Sequence, residues 1–153
     1  MRLPGVSFRE ALTGNYWLLE QPTDERAIAV NLSAHSRDLR VLAHPRTWRL
    51  SGTIDAERLA VGRALHGTLD FKLLDERRLP YRFTFQADDG RRYEFSGQKE
   101  WNSLAPIESI TLLRASLYDE RGEEFARATL RWDLRADWAR WLGGWRLTGP
   151  SSP

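Results

Sequence analysis

Residues Tyr81 to Trp101 read YRFTFQADDGRRYEFSGQKEW, two runs of alternating aromatic and polar residues around an Asp88-Asp89-Gly90 turn. Strand side chains alternate between faces with a period of two. Tyr81, Phe83 and Phe85 therefore share one face of the first run, and Tyr93 and Phe95 share one face of the second. The segment predicts a β-hairpin with an aromatic face. Asp and Gly suit its turn, because a short carboxylate can accept from nearby backbone N–H groups and glycine takes a positive φ without steric penalty. A face this apolar must be covered, and the cover has to come from the rest of the chain.

Outward from the hairpin the period of two persists. Ile28, Val30 and Leu32 alternate with Ala27, Ala29 and Asn31. Leu39 and Val41 follow a polar Ser36-Arg37-Asp38 turn, and Trp48, Leu50, Gly52 and Ile54 alternate with Arg49, Ser51 and Thr53. These predict three strands. Leu69, Phe71 and Leu73 predict a fourth, the hairpin supplies two, and Ile110 to Tyr118 forms the next. Ala126, Ala128, Leu130, Trp132 and Leu134 form the last. Asp119-Glu120-Arg121-Gly122 repeats the turn chemistry between the final two, so these are expected to pair antiparallel. Strands with one apolar face must close on themselves or stack as two sheets. The expected fold is all-β: an antiparallel barrel of about eight strands or a strongly curved sheet, lipocalin-like, with a β-sandwich as the alternative. Large aromatics facing small residues favour the tapering interior of a barrel.

Two segments break this rhythm. Phe8, Leu12 and Tyr16 recur every four residues after Ser7, a possible N-cap, with Gly14 as a stop, and predict a short N-terminal helix. Asp137 precedes Trp138, Trp141, Leu142 and Trp145, with Gly143 and Gly144 as a stop, and predicts a short C-terminal helix. That helix is expected to pack over an open end or outer face of the β core. A membrane-surface contact aided by Arg135, Arg140 and Arg146, or a gate or partner contact, is the alternative. Residues 1–148 are expected to form a single barrel-like domain and 149–153 a disordered tail.

Composition narrows the function classes. A chain of 153 residues suits one domain with one core. It is 41% hydrophobic and 29% charged, and no apolar run approaches the ~18 residues of a membrane span. The first residues, MRLPGVSFREALTG, lack the apolar core of a signal peptide, so a cytoplasmic location is expected. Without cysteine there is no disulfide framework and no thiolate chemistry. The 23 bases are interspersed with 21 acids for a net charge of +2, so nucleic acid is not an expected partner. Only Lys72 and Lys99 are lysines, a skew that fits a GC-rich genome.

His35, His44 and His66 have no ligand spacing, and no nucleophile elbow occurs, so no metal, cofactor or catalytic residue is assigned. Asp88 and Asp89 are explained by their turn. Lys99 stands apart: if Tyr93 and Phe95 point inward, so do Gly97, Lys99 and Trp101. An inward lysine requires either a carboxylate at the barrel rim or the polar head of an amphipathic ligand. The candidate ligand-binding set is Trp48, Tyr81, Phe83, Phe85, Tyr93, Phe95, Lys99, Trp101 and Trp132. Their rings either fill the interior or line a cavity. Gly52, Gly67 and Gly97 within strand patterns mark bulges, bends or close approaches.

The segments FREALTGNYW (Phe8 to Trp17), SGTIDAERL, LPYRFTFQADDGRRYEFSGQK and SITLL (Ser109 to Leu113) resemble an accessory β domain associated with bacterial cholesterol-oxidase-like GMC flavoproteins and related lipid-handling proteins. Phe8, Glu10, Gly14, Gly52, Tyr81, Phe85, Gly90, Gly97, Lys99, Thr111 and Leu112 occupy the positions of that pattern. With no GxGxxG fingerprint, the resemblance implies a lipid- or sterol-associated accessory fold and not an oxidase.

Three functional classes follow. The first is an accessory module that binds a lipid, sterol or polyketide-like hydrophobe. The second is a cofactor-free isomerase or cyclase using Lys99, Tyr93 or Glu94. The third is an assembly subunit, self-associating or bound to a protein partner, that pairs through an edge strand or the Trp-rich C-terminal segment.

Overall fold

The computed structural model describes residues 5–36, 47–70, 78–100, 111–132 and 146–148. All nine elements of these residues are strands: β1 (Gly5–Leu18), β2 (Gln21–Ser36), β3 (Thr47–Ala56), β4 (Ala60–Asp70), β5 (Arg78–Gln86), β6 (Arg92–Glu100), β7 (Leu112–Tyr118), β8 (Glu124–Arg131) and β9 (Arg146–Thr148). Each of β1 to β8 pairs antiparallel with the next, and β8 returns to pair with β1. The result is a closed, eight-stranded, up-and-down barrel, which replaces the open-sheet and sandwich alternatives. β9 joins β1 at Gly5 to Ser7, beyond the reach of β8.

The register can be followed once around the barrel. Phe8 pairs with Ala34, which pairs with Leu50, then Gly67, Phe83, Phe95, Leu117, Ala126 and finally Leu18. The circuit leaves β1 at Phe8 and returns to it at Leu18, ten residues further along. This stagger tilts the strands by about 40° to the barrel axis. It exceeds the shear of eight that gives (β/α)8 barrels their packed centre. Every large side chain on the circuit points inward, and Phe8, Leu50, Phe83, Phe95 and Leu117 are buried in the core.

The expected N-terminal helix is a strand instead. A four-residue recurrence is close to one helical turn, and it is also twice the strand period. In β1 the whole even-numbered series Phe8, Glu10, Leu12, Gly14 and Tyr16 faces the interior. Gly14 does not stop a helix. It lies so close to β8 that a Cβ there would sit 1.9 Å from the Thr129 carbonyl oxygen. Gly67 is likewise held against β5, where a Cβ would meet the Arg82 carbonyl oxygen at 1.9 Å. Of the expected strands, Leu69 belongs to β4, which begins as early as Ala60. Leu39, Val41, Phe71, Leu73 and Leu134 lie outside the described residues, as do Asp137 to Trp145 and the 149–153 tail. Arg146 falls in β9.

The two ends of the barrel differ. One end carries four tight turns, at 19–20, 57–59, 87–91 and 119–123. In two of them glycine takes a positive φ, Gly90 at 84° and Gly122 at 79°, and the turn closes through Gly90 N to the Ala87 carbonyl and Gly122 N to the Asp119 carbonyl, both 3.0 Å. This end is sealed: the Tyr16 hydroxyl donates to the Glu57 carbonyl, the Glu57 carboxylate accepts from Ala27 N at 3.0 Å, and Asp88 N donates to the Leu59 carbonyl at 3.0 Å. Behind the turns the rings of Phe85, Tyr93 and Phe125 follow one another at 6.0 and 5.1 Å. The opposite end carries the longer connections, from β2 to β3, β4 to β5, β6 to β7 and β8 to β9.

Gly14→Ala should lower stability by about 1–3 kcal/mol, because backbone on two strands must separate to admit the methyl group. Val61→Ala, on a side chain 74% exposed, should be nearly neutral. Urea midpoints compare the two, and an unshifted Gly14→Ala midpoint would contradict the close β1–β8 approach.

Candidate functional site

Charge enters the barrel interior at the end with the long connections. Lys99 lies next to last in β6, opposite Leu79, while Tyr81 lies opposite Gly97, so the two are diagonal neighbours on the inner face. Lys99 is past the last rung that β6 shares with β7, Gln98 to Arg114. Glu10 of β1 is past the last rung shared with β8, Thr13 to Arg131. Both side chains turn inward by strand parity and meet there.

The Lys99 ammonium forms a salt bridge with Glu10 Oε1, and the Tyr81 hydroxyl donates to Glu10 Oε2 at 2.9 Å. The ammonium also sits 5.3 Å from the centroid of the Tyr81 ring, within cation–π range. Glu10 and Lys99 are 7% and 4% exposed. Both carboxylate oxygens are thus engaged, which such a pair requires once it is removed from water. Burial, reinforced by the adjacent Glu10 carboxylate, holds the Tyr81 phenol proton well above the ordinary tyrosine range. At the same barrel end Phe8 and Trp48 pack with ring centroids 5.4 Å apart. Trp132 follows β8 there, its backbone N–H donating to the Thr111 carbonyl at 2.9 Å.

Of the nine sequence-selected residues, Trp48, Tyr81, Lys99 and Trp132 lie toward the long-connection end. Phe83 and Phe95 stack in the middle at 4.4 Å, and Phe85 and Tyr93 lie near the sealing turns. All eight are buried. Trp101 lies outside the described residues. The acid–base set of the enzyme reading is not brought together. Tyr93 donates to Asp89 at 3.1 Å, about 20 Å from Lys99 at the usual strand rise. Glu94 faces outward and pairs with Arg82 at 3.2 Å. Asp88 and Asp89 serve the turn region: Asp88 accepts from Val61 N and Arg63, and Asp89 accepts from Arg91 N. His35 and His66 are exposed, and among the described residues no three potential ligands cluster for a metal ion.

Glu10 is the candidate-site residue whose inward orientation the helix reading of Phe8 to Tyr16 concealed. The signal was present in the alternation Phe8-Glu10-Leu12, which puts the carboxylate on the inward face once the segment is a strand.

A concavity of about 690 Å³ lies on the outer wall of β5 to β8, away from Glu10, Tyr81 and Lys99. Across it runs the rung Arg82, Ser96, Ser116, Arg127 and Trp17. Small hydroxyl side chains form its floor and arginines its rim, with Arg82 held by Glu94 and Arg127 by Glu124 at 2.8 Å. No family model matches this chain, and no curated protein matches it either.

Lys99→Met leaves Glu10 buried without its cation and should cost roughly 3–5 kcal/mol of stability. Combining it with Glu10→Leu should recover most of that loss, because an apolar pair needs no partner. Denaturant unfolding of both variants checks this, and a double variant as unstable as the single one would contradict it.

Tyr81 adds an alkaline dependence of known sign. Above about pH 10 the unfolded chain releases the Tyr81 proton while the folded barrel retains it, so the contribution is present at lower pH and lost as pH rises. Tyr16 and Tyr93, also raised by burial, act in the same direction. Urea midpoints between pH 9 and 11 should fall less steeply for Tyr81→Phe than for the wild type. Equal slopes would place Tyr81 in water.

Proposed function

We propose that this barrel is a small accessory module that binds an amphipathic hydrophobic molecule of the lipid, sterol or polyketide class. The polar end of that molecule meets Glu10, Lys99 and Tyr81, and its apolar part lies against the aromatic side chains of the long-connection end. The observation that carries this reading is the Glu10–Lys99 ion pair, the one buried pair of charges among mostly apolar side chains of the described residues. As a stabilising device such a pair is poor, since apolar residues of similar volume often serve a core as well or better. A few convergent polar groups among aromatic side chains are, by contrast, what orients an apolar ligand in a pocket. Their position supports the same reading, because the opposite end is sealed by turns. Eight-stranded barrels are also the size that holds either a side-chain core or one small ligand. The resemblance noted in the sequence adds support, for its pattern includes Glu10, Tyr81 and Lys99 from three separate strands.

Native mass spectrometry of gently purified protein, with an organic extract of the same sample, tests the proposal. The expected result is a reproducible adduct of lipid-like mass that is lost in Lys99→Met/Glu10→Leu. A bare mass that stays unshifted after incubation with sterols, fatty alcohols and fatty acids would overturn it.

A further inference from the structure

We infer that the polar end of the bound molecule is an uncharged hydroxyl, as in a sterol or long-chain alcohol, and not a carboxylate or phosphate. This rests on the binding reading above and narrows its ligand class. The reason is charge balance in a buried site. Lys99 is 4% exposed and its charge is already matched by Glu10, 7% exposed, through a direct salt bridge. No other charged side chain is among the buried residues described. An anionic head would bring a second negative charge beside Glu10, and among the described residues there is no further buried cation to match it; an unmatched charge out of water is strongly disfavoured.

The hydrogen-bonding capacity that remains suits a hydroxyl. Lys99 has three N–H donors, of which one meets Glu10 Oε1, so the others can donate to a ligand oxygen. Tyr81 spends its proton on Glu10 Oε2, which leaves its oxygen as an acceptor. A hydroxyl accepts from the first and donates to the second. A carboxylate can only accept, and it meets two further acceptors in Glu10 and Tyr81.

The charge balance can be inverted by one isosteric change. Glu10→Gln removes the internal anion and leaves Lys99 as an unmatched cation, which a ligand carboxylate would then complete. The experiment titrates wild type and Glu10→Gln at pH 8 with cholesterol, hexadecanol and palmitate, following tryptophan fluorescence and confirming occupancy by native mass spectrometry. Wild type should bind an alcohol or the sterol at least about tenfold more tightly than palmitate, a difference of about 1.4 kcal/mol. In Glu10→Gln the order should reverse. Wild type that binds palmitate as well as or better than the alcohols overturns the inference while leaving the binding module standing. An unchanged order in folded Glu10→Gln also overturns it. If none of the three binds wild type, the binding reading itself fails. Should Glu10→Gln not fold, the wild-type order alone decides.

Discussion

Closure of the ladder is the constraint on which the rest of the structure depends. Once β8 pairs back onto β1, no strand from β1 to β8 is left without neighbours on both sides, and the ten-residue stagger sets the tilt and hence the girth. Each rung around the barrel then converts strand parity into a spiral of inward side chains. The rung from Phe8 through Leu50, Phe83 and Phe95 to Leu18 climbs from one end of the barrel to the other and draws on eight separate strands. The glycines obey the same constraint, since Gly14 and Gly67 stand where neighbouring backbones come too close for a side chain.

Closure also brings Glu10 and Lys99 together. They are far apart in sequence, and their strands are separated around the wall by β7 and β8. They meet because both strands run past the last rungs they share with those neighbours. In the apolar interior each charge makes the other tolerable, and the Tyr81 hydroxyl supplies the remaining hydrogen bond to the carboxylate. The polarity of the barrel follows: aromatic packing and tight turns at one end, a neutral but strongly polar triad at the other.

Much of the architecture was legible because strand periodicity is a local property. The Tyr81 to Trp101 hairpin, the turns at Gly90 and Gly122 and the inward faces of Ile28 to Leu32 and Trp48 to Ile54 follow from alternation and turn chemistry. Phe8 to Tyr16 was misread as a helix because its apolar spacing satisfies two periods at once. Only pairing with β2 and β8 selects the extended one. The site was legible in part for the same reason. Parity turned Lys99 inward and demanded a partner, yet nothing local identified that partner.

The sequence by itself determined the predominance of strands, the inward faces of the Ile28–Leu32, Trp48–Ile54 and hairpin strands, the hairpin turns and the need for a partner at Lys99. Those properties depend on neighbours one to four residues away. Only the tertiary structure decided that the sheet closes, that its stagger is ten residues, that one end is sealed and that Glu10 is the counter-charge. Each of those depends on which strand lies beside which, a matter of register between segments distant in the chain.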